Sequence, residues 1–275
     1  SRGLGDVYKR QGDNSSNVVE RAIEYWNGDE GKRGIVTLCW HWCPAARYDK
    51  SKSDPWGTFY TDKTKFNLAR AMNGRDPDGY QMLLDDIDAI AVQLKRLQDA
   101  DVPVLWRPLH EASGGWFWWG ASGADAYLQL YKLMYDRLTN VHGLNNLIWV
   151  WNGQDAAWYP GDEYVDIIGE DIYPGKHVYT SQAARFIKAL SYTDTRKLIT
   201  LSENGCIPDP EQLVRDNIMW SYWCVWEGEF VLKAAGFNNY SEQYTEKNML
   251  KKAYKSDTVI TRKELPDLRN YPLGD

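Results

Sequence analysis

The sequence predicts an α/β protein with a parallel β-sheet, and two observations support this fold class. From residue 35 onward, short runs rich in β-branched and aromatic residues alternate with longer segments of helical periodicity. That alternation is the pattern of repeated βαβ units. The short runs also end, on their C-terminal side, in polar or aromatic residues, and parallel barrels build their sites at those ends.

The predicted elements follow one another along the chain without an internal repeat. Strands are predicted at residues 35–42, 102–109, 146–152, 165–173, 197–203 and 220–226. Helices are predicted at residues 17–26, 80–100, 124–139, 181–190, 211–217 and 246–255. In the helix at 80–100, apolar residues such as Leu83, Ile87 and Ile90 recur at spacings of three and four, which places them on one face.

The length of 275 residues suits one (β/α)8 barrel or two smaller domains. Residues 12–275 are interpreted as one compact domain, because no low-complexity segment or linker divides them. Residues 44–78, rich in Lys, Asp, Pro, Gly and Trp, are predicted to form a long loop. Loops of that length in compact domains are usually functional.

Charge and composition narrow the class of ligand. A formal net charge of −6 and a pI near 5.3 disfavour nucleic acid and anionic membrane surfaces as partners. The chain has 14 Trp and 18 Tyr but 6 Phe, and many of these rings stand beside Gly, Asn, Asp or His. Flat apolar faces with polar edges match sugar rings, so carbohydrate is the first ligand class to consider, although about half of these residues are expected in the core.

Two glutamates stand out as candidate catalytic groups. Glu111 and Glu203 each end an apolar strand, where a charge is costly unless it has a role. They are 92 residues apart, about three βα units of roughly 30 residues. This spacing predicts that they face each other across a barrel mouth. Glycosidic cleavage needs two carboxyl groups in one site, since one protonates the leaving oxygen and the other attacks the anomeric carbon or activates water.

Seven segments then carry a resemblance to a known family. They are 35–42 (IVTLCWHW), 106–111 (WRPLHE), 115–120 (GWFWWG), 147–152 (LIWVWN), 171–174 (DIYP), 202–205 (SENG) and 225–230 (VWEGEF). Through them, residues 34–273 resemble glycoside hydrolase family 26, whose members are chiefly β-mannanases. Family members fold as (β/α)8 barrels, and the acid/base and the nucleophile end the fourth and seventh strands.

The resemblance implies a role for each site residue. It makes Glu111 the acid/base and Glu203 the nucleophile. Arg107 and His110 would orient and polarise the carboxylates, Arg107 by a charge-assisted hydrogen bond. Tyr173 would donate a hydrogen bond to Glu203. The subsite for the sugar that becomes covalently attached would be walled by His41, Trp116 and Trp226.

The resemblance also bears on the N-terminal part of the chain. The strand at 35–42 corresponds to the third barrel strand, so strands three to eight are expected and strands one and two are expected to be missing. Residues 6–11 resemble the translation of a sequencing-library adapter, and residues 1–11 are interpreted as a cloning or sequencing artefact. The parent protein is expected to be secreted or attached to the cell surface.

The function expected from the resemblance is retaining endo-hydrolysis of β-1,4-mannosidic linkages in mannan, galactomannan or glucomannan. The two carboxyl groups are expected about 5–5.5 Å apart. No metal or organic cofactor is expected, since Cys39-x-His41-x-Cys43 has no second ligand cluster to complete it. The partner is expected to be a β-mannan-type polysaccharide, with no membrane insertion, and the protein is expected to be a monomer.

Two alternatives stay open. Members of the same family also cut mixed-linkage β-1,3-1,4-glucan or β-1,3-xylan, so the resemblance alone does not fix the substrate. A non-catalytic carbohydrate-binding protein would need aromatic platforms without an acid/base pair, and the presence of Glu111 and Glu203 argues against it.

Overall fold

The computed structural model describes residues 17–28, 33–51, 57–233 and 239–271. These residues belong to two compact units. The N-terminal unit comprises residues 17–26, 35–51 and 57–166, and the C-terminal unit comprises residues 27–28, 33–34, 167–233 and 239–271. Residues 1–11, interpreted above as adapter sequence, lie outside the described residues.

Three parallel strands form the sheet of the N-terminal unit. They are β1 (Val36–Cys39), β2 (Val104–Arg107) and β3 (Leu147–Trp151). In their register, Cys39 is the partner of Arg107, and Trp106 is the partner of Trp149. The residues that follow the three strands therefore leave the sheet at the same edge, and these include His41 and Glu111.

The described part of the N-terminal unit also contains helices. They are α1 (Val18–Asn27), α2 (Leu68–Met72), α3 (Pro77–Asp99) and α4 (Ala124–Asp136), which continues into a π-helical turn at Arg137–Val141. The start of α3 follows from its sequence. Asp76 caps it by accepting a hydrogen bond from the Gly79 N–H at 2.9 Å, and Pro77 stands at the first turn, where its missing N–H costs nothing.

The prediction of an uninterrupted loop at 44–78 was wrong in part. Helix α2 and a one-turn 3-10 helix at Ala46–Tyr48 lie within it. Asn67 caps α2 by accepting a hydrogen bond from the Arg70 N–H at 3.0 Å. A helix of 5 residues is too short to show the apolar periodicity by which helices are found in a sequence.

Tryptophan dominates the core of the N-terminal unit. Its fully buried indoles are Trp40, Trp42, Trp106, Trp118, Trp119 and Trp151. Trp40 and Trp42 stack with ring centroids 4.2 Å apart, and the indole N–H of Trp42 donates to Asp86 Oδ2 at 2.7 Å. Buried rings of this size contribute about 3–5 kcal/mol each by truncation. Many of the aromatic residues counted in the sequence therefore stabilise the fold, as expected for about half of them.

The C-terminal unit has a second set of three parallel strands. They are β4 (Ile167–Ile172), β5 (Leu198–Asn204) and β6 (Trp223–Val225). Its helices are α5 (Ala183–Leu190), α6 (Pro210–Asp216) and α7 (Lys247–Tyr254). The register of β4 on β5 shifts between Glu170 and Asp171, so that Asp171 is the partner of Glu203.

All six predicted strands are present, and each is parallel to its neighbours within its unit. Most are shorter than predicted, because residues at one or both ends of the apolar run lie outside the ladder. The strand predicted at 220–226 is the clearest case: it has 3 residues in regular pairing, Trp223–Val225, and most of the loss is at its N-terminal end. Within the described residues, no helix combines the length and the apolarity needed to cross a membrane.

Candidate active site

Glu111 stands on an unusual turn after β2. Leu109 and Glu111 have φ angles of +53° and +52°, a left-handed conformation that side chains other than glycine rarely adopt. The Glu111 N–H donates to the Asn152 carbonyl at 2.7 Å, which ties the turn to the residue that follows β3. Strained backbone of this kind is concentrated at functional sites, where the surrounding structure maintains it.

The Glu111 side chain is half-buried and has an indole partner. Trp116 donates from Nε1 to Glu111 Oε2 at 2.9 Å. The indole packs against Gly114, where a Cβ would lie 2.0 Å from the ring, so a side chain at that position would displace it. Trp116 is nevertheless 47% exposed, which leaves part of its ring available to a ligand.

Arg107 and Asn152 form a buried polar pair below this turn. Arg107 is 2% exposed, and its Nη1 donates to Asn152 Oδ1 at 2.8 Å. Asn152 thus accepts from Arg107 with its side chain and from Glu111 with its backbone. Asn152 was not predicted as a site residue, although it follows β3 directly. The predicted action of Arg107 on a carboxylate stays a prediction.

His110 is buried and His41 is half-buried. Burial lowers the pKa of His110 well below its usual value, and electrostatic interactions with Arg107 and His41 act in the same direction. His110 is therefore neutral near pH 7. Its ring meets that of His41 edge to face, with centroids 4.8 Å apart, and its carbonyl accepts from the Trp119 indole at 2.8 Å.

In the C-terminal unit, Glu203 is the penultimate residue of β5 and is 4% exposed. Tyr173 follows β4 and donates from its phenol to Glu203 Oε2 at 2.6 Å, the hydrogen bond expected from the sequence. The Tyr173 ring is itself 43% exposed. A phenol that donates to an ionised carboxylate forms one of the stronger hydrogen bonds in proteins.

Two acidic residues at the end of β4 have different surroundings. Asp171, beside Glu203 in the register, accepts from the Ser202 hydroxyl at 2.7 Å. Glu170, one position earlier, is fully buried and accepts from Arg185 Nε at 2.9 Å. Burial raises the pKa of Glu170, and the Arg185 charge opposes that change. Asp171 was not predicted as a site residue, although sequence had placed it among the polar strand ends.

Trp226 comes directly after β6. Its N–H donates to the Asn204 carbonyl at 3.0 Å, so the backbone is held beside the end of β5. The side chain is half-buried. Among the described residues of the C-terminal unit, the predicted residues Tyr173, Glu203 and Trp226 therefore all lie at the ends of its strands.

Comparison with known proteins decides the family. The sequence profile of glycosyl hydrolase family 26 matches residues 6–264. The chain belongs to this family. It is 44% identical over 259 residues to a mannan endo-1,4-β-mannosidase of Thermothelomyces thermophilus, in an alignment covering 92% of this chain and 52% of the relative.

Solved structures agree with this family 26 assignment. The Podospora anserina GH26-CBM35 β-(1,4)-mannanase is 38% identical, with a TM-score of 0.79 over 90% of this chain and 53% of that protein. A β-mannanase from a symbiotic protist of the termite Reticulitermes speratus, solved with gluco-manno-oligosaccharide, is 34% identical, with a TM-score of 0.81 over 97% of this chain and 79% of that one. The chain spans about half the length of the Thermothelomyces and Podospora proteins.

In each unit of this family 26 chain, the glutamate predicted to be catalytic thus has a neighbouring aromatic donor. Glu111 has the Trp116 indole, and Glu203 has the Tyr173 phenol. Each donor hydrogen-bonds to one carboxylate oxygen, Oε2, and so restricts the orientation of the carboxyl group. A carboxylate held in this way is suited to attack on carbon or to proton transfer.

Proposed function

We propose that this chain hydrolyses internal β-1,4-mannosidic linkages with retention of anomeric configuration. Glu203 is the nucleophile and Glu111 is the acid/base. The observation that carries the proposal is that each glutamate, Glu203 near the C-terminal end of β5 and Glu111 on the turn after β2, has an aromatic hydrogen-bond donor, in a chain that belongs to family 26. The names of its relatives, which are mannanases, support the choice of substrate.

In the first step, Glu203 attacks the anomeric carbon while Glu111 protonates the departing glycosidic oxygen. The bond to the leaving sugar breaks as the bond to the carboxylate oxygen forms. Because the Tyr173 phenol holds Oε2, we assign the attack to Oε1. The product is a glycosyl ester on Glu203 and a free sugar chain.

In the second step, Glu111 acts in reverse. Its carboxylate takes a proton from water, whose oxygen attacks the anomeric carbon and releases Glu203. The ionised form of Glu111 is needed for this step, and the Trp116 N–H favours it by hydrogen bonding. Neutral His110 supports the turn on which Glu111 stands without adding a second titrating proton near pH 7.

The sugar that becomes attached is assigned to a subsite walled by His41, Trp116 and Trp226. Trp116 has the exposed ring that stacking on a sugar face requires. A mannan-cutting site must accept the axial 2-hydroxyl of that sugar. Since a polysaccharide cannot enter a cell, we propose that the enzyme acts outside it. We also propose that β1 to β6 correspond to the third to eighth strands of the family's barrel.

The proposal is tested by substrate and by stereochemistry. The full chain is incubated with β-mannan, glucomannan, lichenan and β-1,3-xylan, and reducing ends are measured. We expect release from mannan and glucomannan, and a β-anomer as the first product seen by proton NMR. Faster cleavage of lichenan or xylan would mean that this polysaccharide, and not mannan, is the substrate. An α-anomer as first product would refute the two-step mechanism.

The alternative of a non-catalytic carbohydrate-binding protein is tested with the variant Glu203→Ala. If Glu203→Ala binds mannan as the parent does but hydrolyses none, the site is catalytic. If parent and variant hydrolyse mannan equally, catalysis at Glu203 is refuted.

A further inference from the structure

Three aromatic rings of the C-terminal unit form a row that begins at the Glu203 partner. The Tyr173 ring packs against Phe230 with centroids 5.3 Å apart, and Phe230 packs against Tyr244 with centroids 4.2 Å apart. Phe230 ends a one-turn 3-10 helix, Gly228–Phe230, that follows β6. None of the steps proposed above uses Phe230 or Tyr244.

The far end of this row is anchored by several hydrogen bonds. The Tyr244 phenol donates to Glu229 at 3.2 Å. The Tyr244 carbonyl accepts from the His177 N–H at 2.9 Å and from the Cys206 thiol at 3.0 Å. Tyr244 is therefore fixed by both its side chain and its backbone, and Phe230 packs on a fixed neighbour.

The near end of the row depends on a glycine. A Cβ at Gly205 would lie 3.1 Å from the Phe230 ring and 3.3 Å from the Tyr173 ring. Those distances are tighter than ordinary contacts, so the absence of a side chain lets both rings approach the backbone just after Glu203. Phe230 thereby contacts the Tyr173 ring, whose hydroxyl reaches Glu203.

We propose that Phe230 is a positioning residue for the nucleophile, acting through Tyr173. This inference rests on the proposed function of Glu203. The Tyr173 ring is 43% exposed, and an exposed ring without a packing partner samples several rotamers. Phe230 restricts the ring to the orientation in which the phenol donates to Glu203 at 2.6 Å.

A double-mutant cycle tests this role. Phe230→Ala, Tyr173→Phe and the double variant are assayed for kcat and KM on mannan. We expect Phe230→Ala to lower kcat about 5- to 30-fold with KM changed less than about twofold, because a network partner is lost rather than a substrate contact. In the Tyr173→Phe background, the same change should lower kcat less than about twofold.

Two controls accompany the cycle. Phe186→Ala makes the same chemical change at a ring that packs on Trp220, with centroids 5.0 Å apart, and should leave kcat unchanged. Phe230→Tyr keeps the ring and should restore most of kcat. A Phe230→Ala variant whose main effect is on KM, and persists in the Tyr173→Phe background, would mean that Phe230 contacts substrate and would overturn the proposal.

Failure of the proposed function can be told apart from failure of this inference. If the parent chain cleaves none of the polysaccharides, the four proteins of the cycle (the parent, Phe230→Ala, Tyr173→Phe and the double variant) are unfolded in urea. Their equilibrium constants of unfolding are then compared. Coupling between Phe230 and the Tyr173 hydroxyl, seen as a smaller fold-change for Phe230→Ala in the Tyr173→Phe background, supports positioning without any activity. Equal fold-changes in the two backgrounds refute it.

Discussion

The two glutamates of this family 26 chain end their strands in different ways. Glu203 lies within β5 and is 4% exposed, so the ladder holds its backbone. Glu111 comes four residues after the end of β2, on a turn with a left-handed φ of +52°. Its backbone is kept in place by the bond to the Asn152 carbonyl rather than by pairing within the sheet.

Their side chains also differ. Glu203 is buried and bound by a phenol, whereas Glu111 is half-buried and bound by an indole. In the proposed mechanism, a nucleophile attacks from one position, while an acid/base must exchange protons with a leaving group and then with water. The buried, strand-held residue suits the first task, and the more accessible turn residue suits the second.

The largest predicted effect comes from removing the nucleophile. Glu203→Ala should lower kcat on mannan by on the order of 10⁴-fold or more, because the carboxylate that forms the covalent intermediate is removed. Glu163→Gln, an exposed glutamate changed as a control, should retain full activity. With azide added, Glu203→Ala should give the α-glycosyl azide, since azide then attacks from the vacated face. A β-azide would reverse the two assignments.

Removing the acid/base should have a smaller effect that depends on the leaving group. Glu111→Ala should lower kcat on mannan by about 10²- to 10⁴-fold, the usual contribution of general acid–base catalysis. On a 2,4-dinitrophenyl β-mannobioside the first step needs no proton, so the burst of dinitrophenol should be nearly as fast as in the parent. A burst slowed as much as the mannan reaction would argue against the acid role.

Much of the fold could be predicted from the sequence, because it depends on local patterns. The apolar run before Arg107 and the periodic face of α3 identify a strand and a helix without any tertiary information. Helix α2 was missed, since its boundaries are set by the Asn67 cap within a segment of loop-like composition. Most strand ends were placed too late, because regular pairing stops before the residues that turn away from the sheet; β5, which ends at Asn204, is the exception.

Sequence could propose the charged residues of the candidate site, but it gave fewer signs of the groups that hold them in place. The position of Glu203 and its bond to Tyr173 followed from the resemblance, and the structure contains that bond. The left-handed turn at Glu111 has no signature in the sequence, since neither Leu109 nor Glu111 is a residue that favours it. The role of Asn152 was also missed, because it depends on the register of two strands.

The two aromatic donors provide a third, intermediate test of the comparison. Tyr173→Phe removes a hydrogen bond to a charged group, worth about 1.5–3 kcal/mol, and should lower kcat/KM about 10- to 150-fold. Trp116→Phe should cost less in the first step, when Glu111 is protonated, and more in the second. Single-turnover rates on the dinitrophenyl substrate separate these steps.

Tyr179→Phe is the matched control for the phenol. Tyr179 is in the same unit, and its hydroxyl contacts Glu246 rather than a predicted site residue. Loss of this hydroxyl should leave kcat/KM within about twofold of the parent, because it does not contact Glu111 or Glu203. An equal loss for both tyrosine variants would mean that general destabilisation, and not the bond to Glu203, explains the effect.

The smallest predicted effect concerns His110, the residue before Glu111, and the pH dependence of the free energy of unfolding. The pKa of His110 is lowered in the folded protein by burial, so below about pH 6.5 the unfolded chain binds a proton that the folded chain does not. Stability from this group is therefore present above about pH 6.5 and is lost as pH falls, by up to about 1.4 kcal/mol per pH unit.

Urea unfolding of the parent and of His110→Phe between pH 5 and 7 measures this difference. The free energy of unfolding of the variant should fall less steeply than that of the parent as the pH is lowered. Glu170, whose pKa burial raises, has the opposite dependence but is present in both proteins and cancels. Phe186→Ala, which removes no titratable group, should keep the parent slope. If His110→Phe also has the parent slope, His110 is not a buried neutral group in solution. The turn at Glu111 would then contain a solvated histidine.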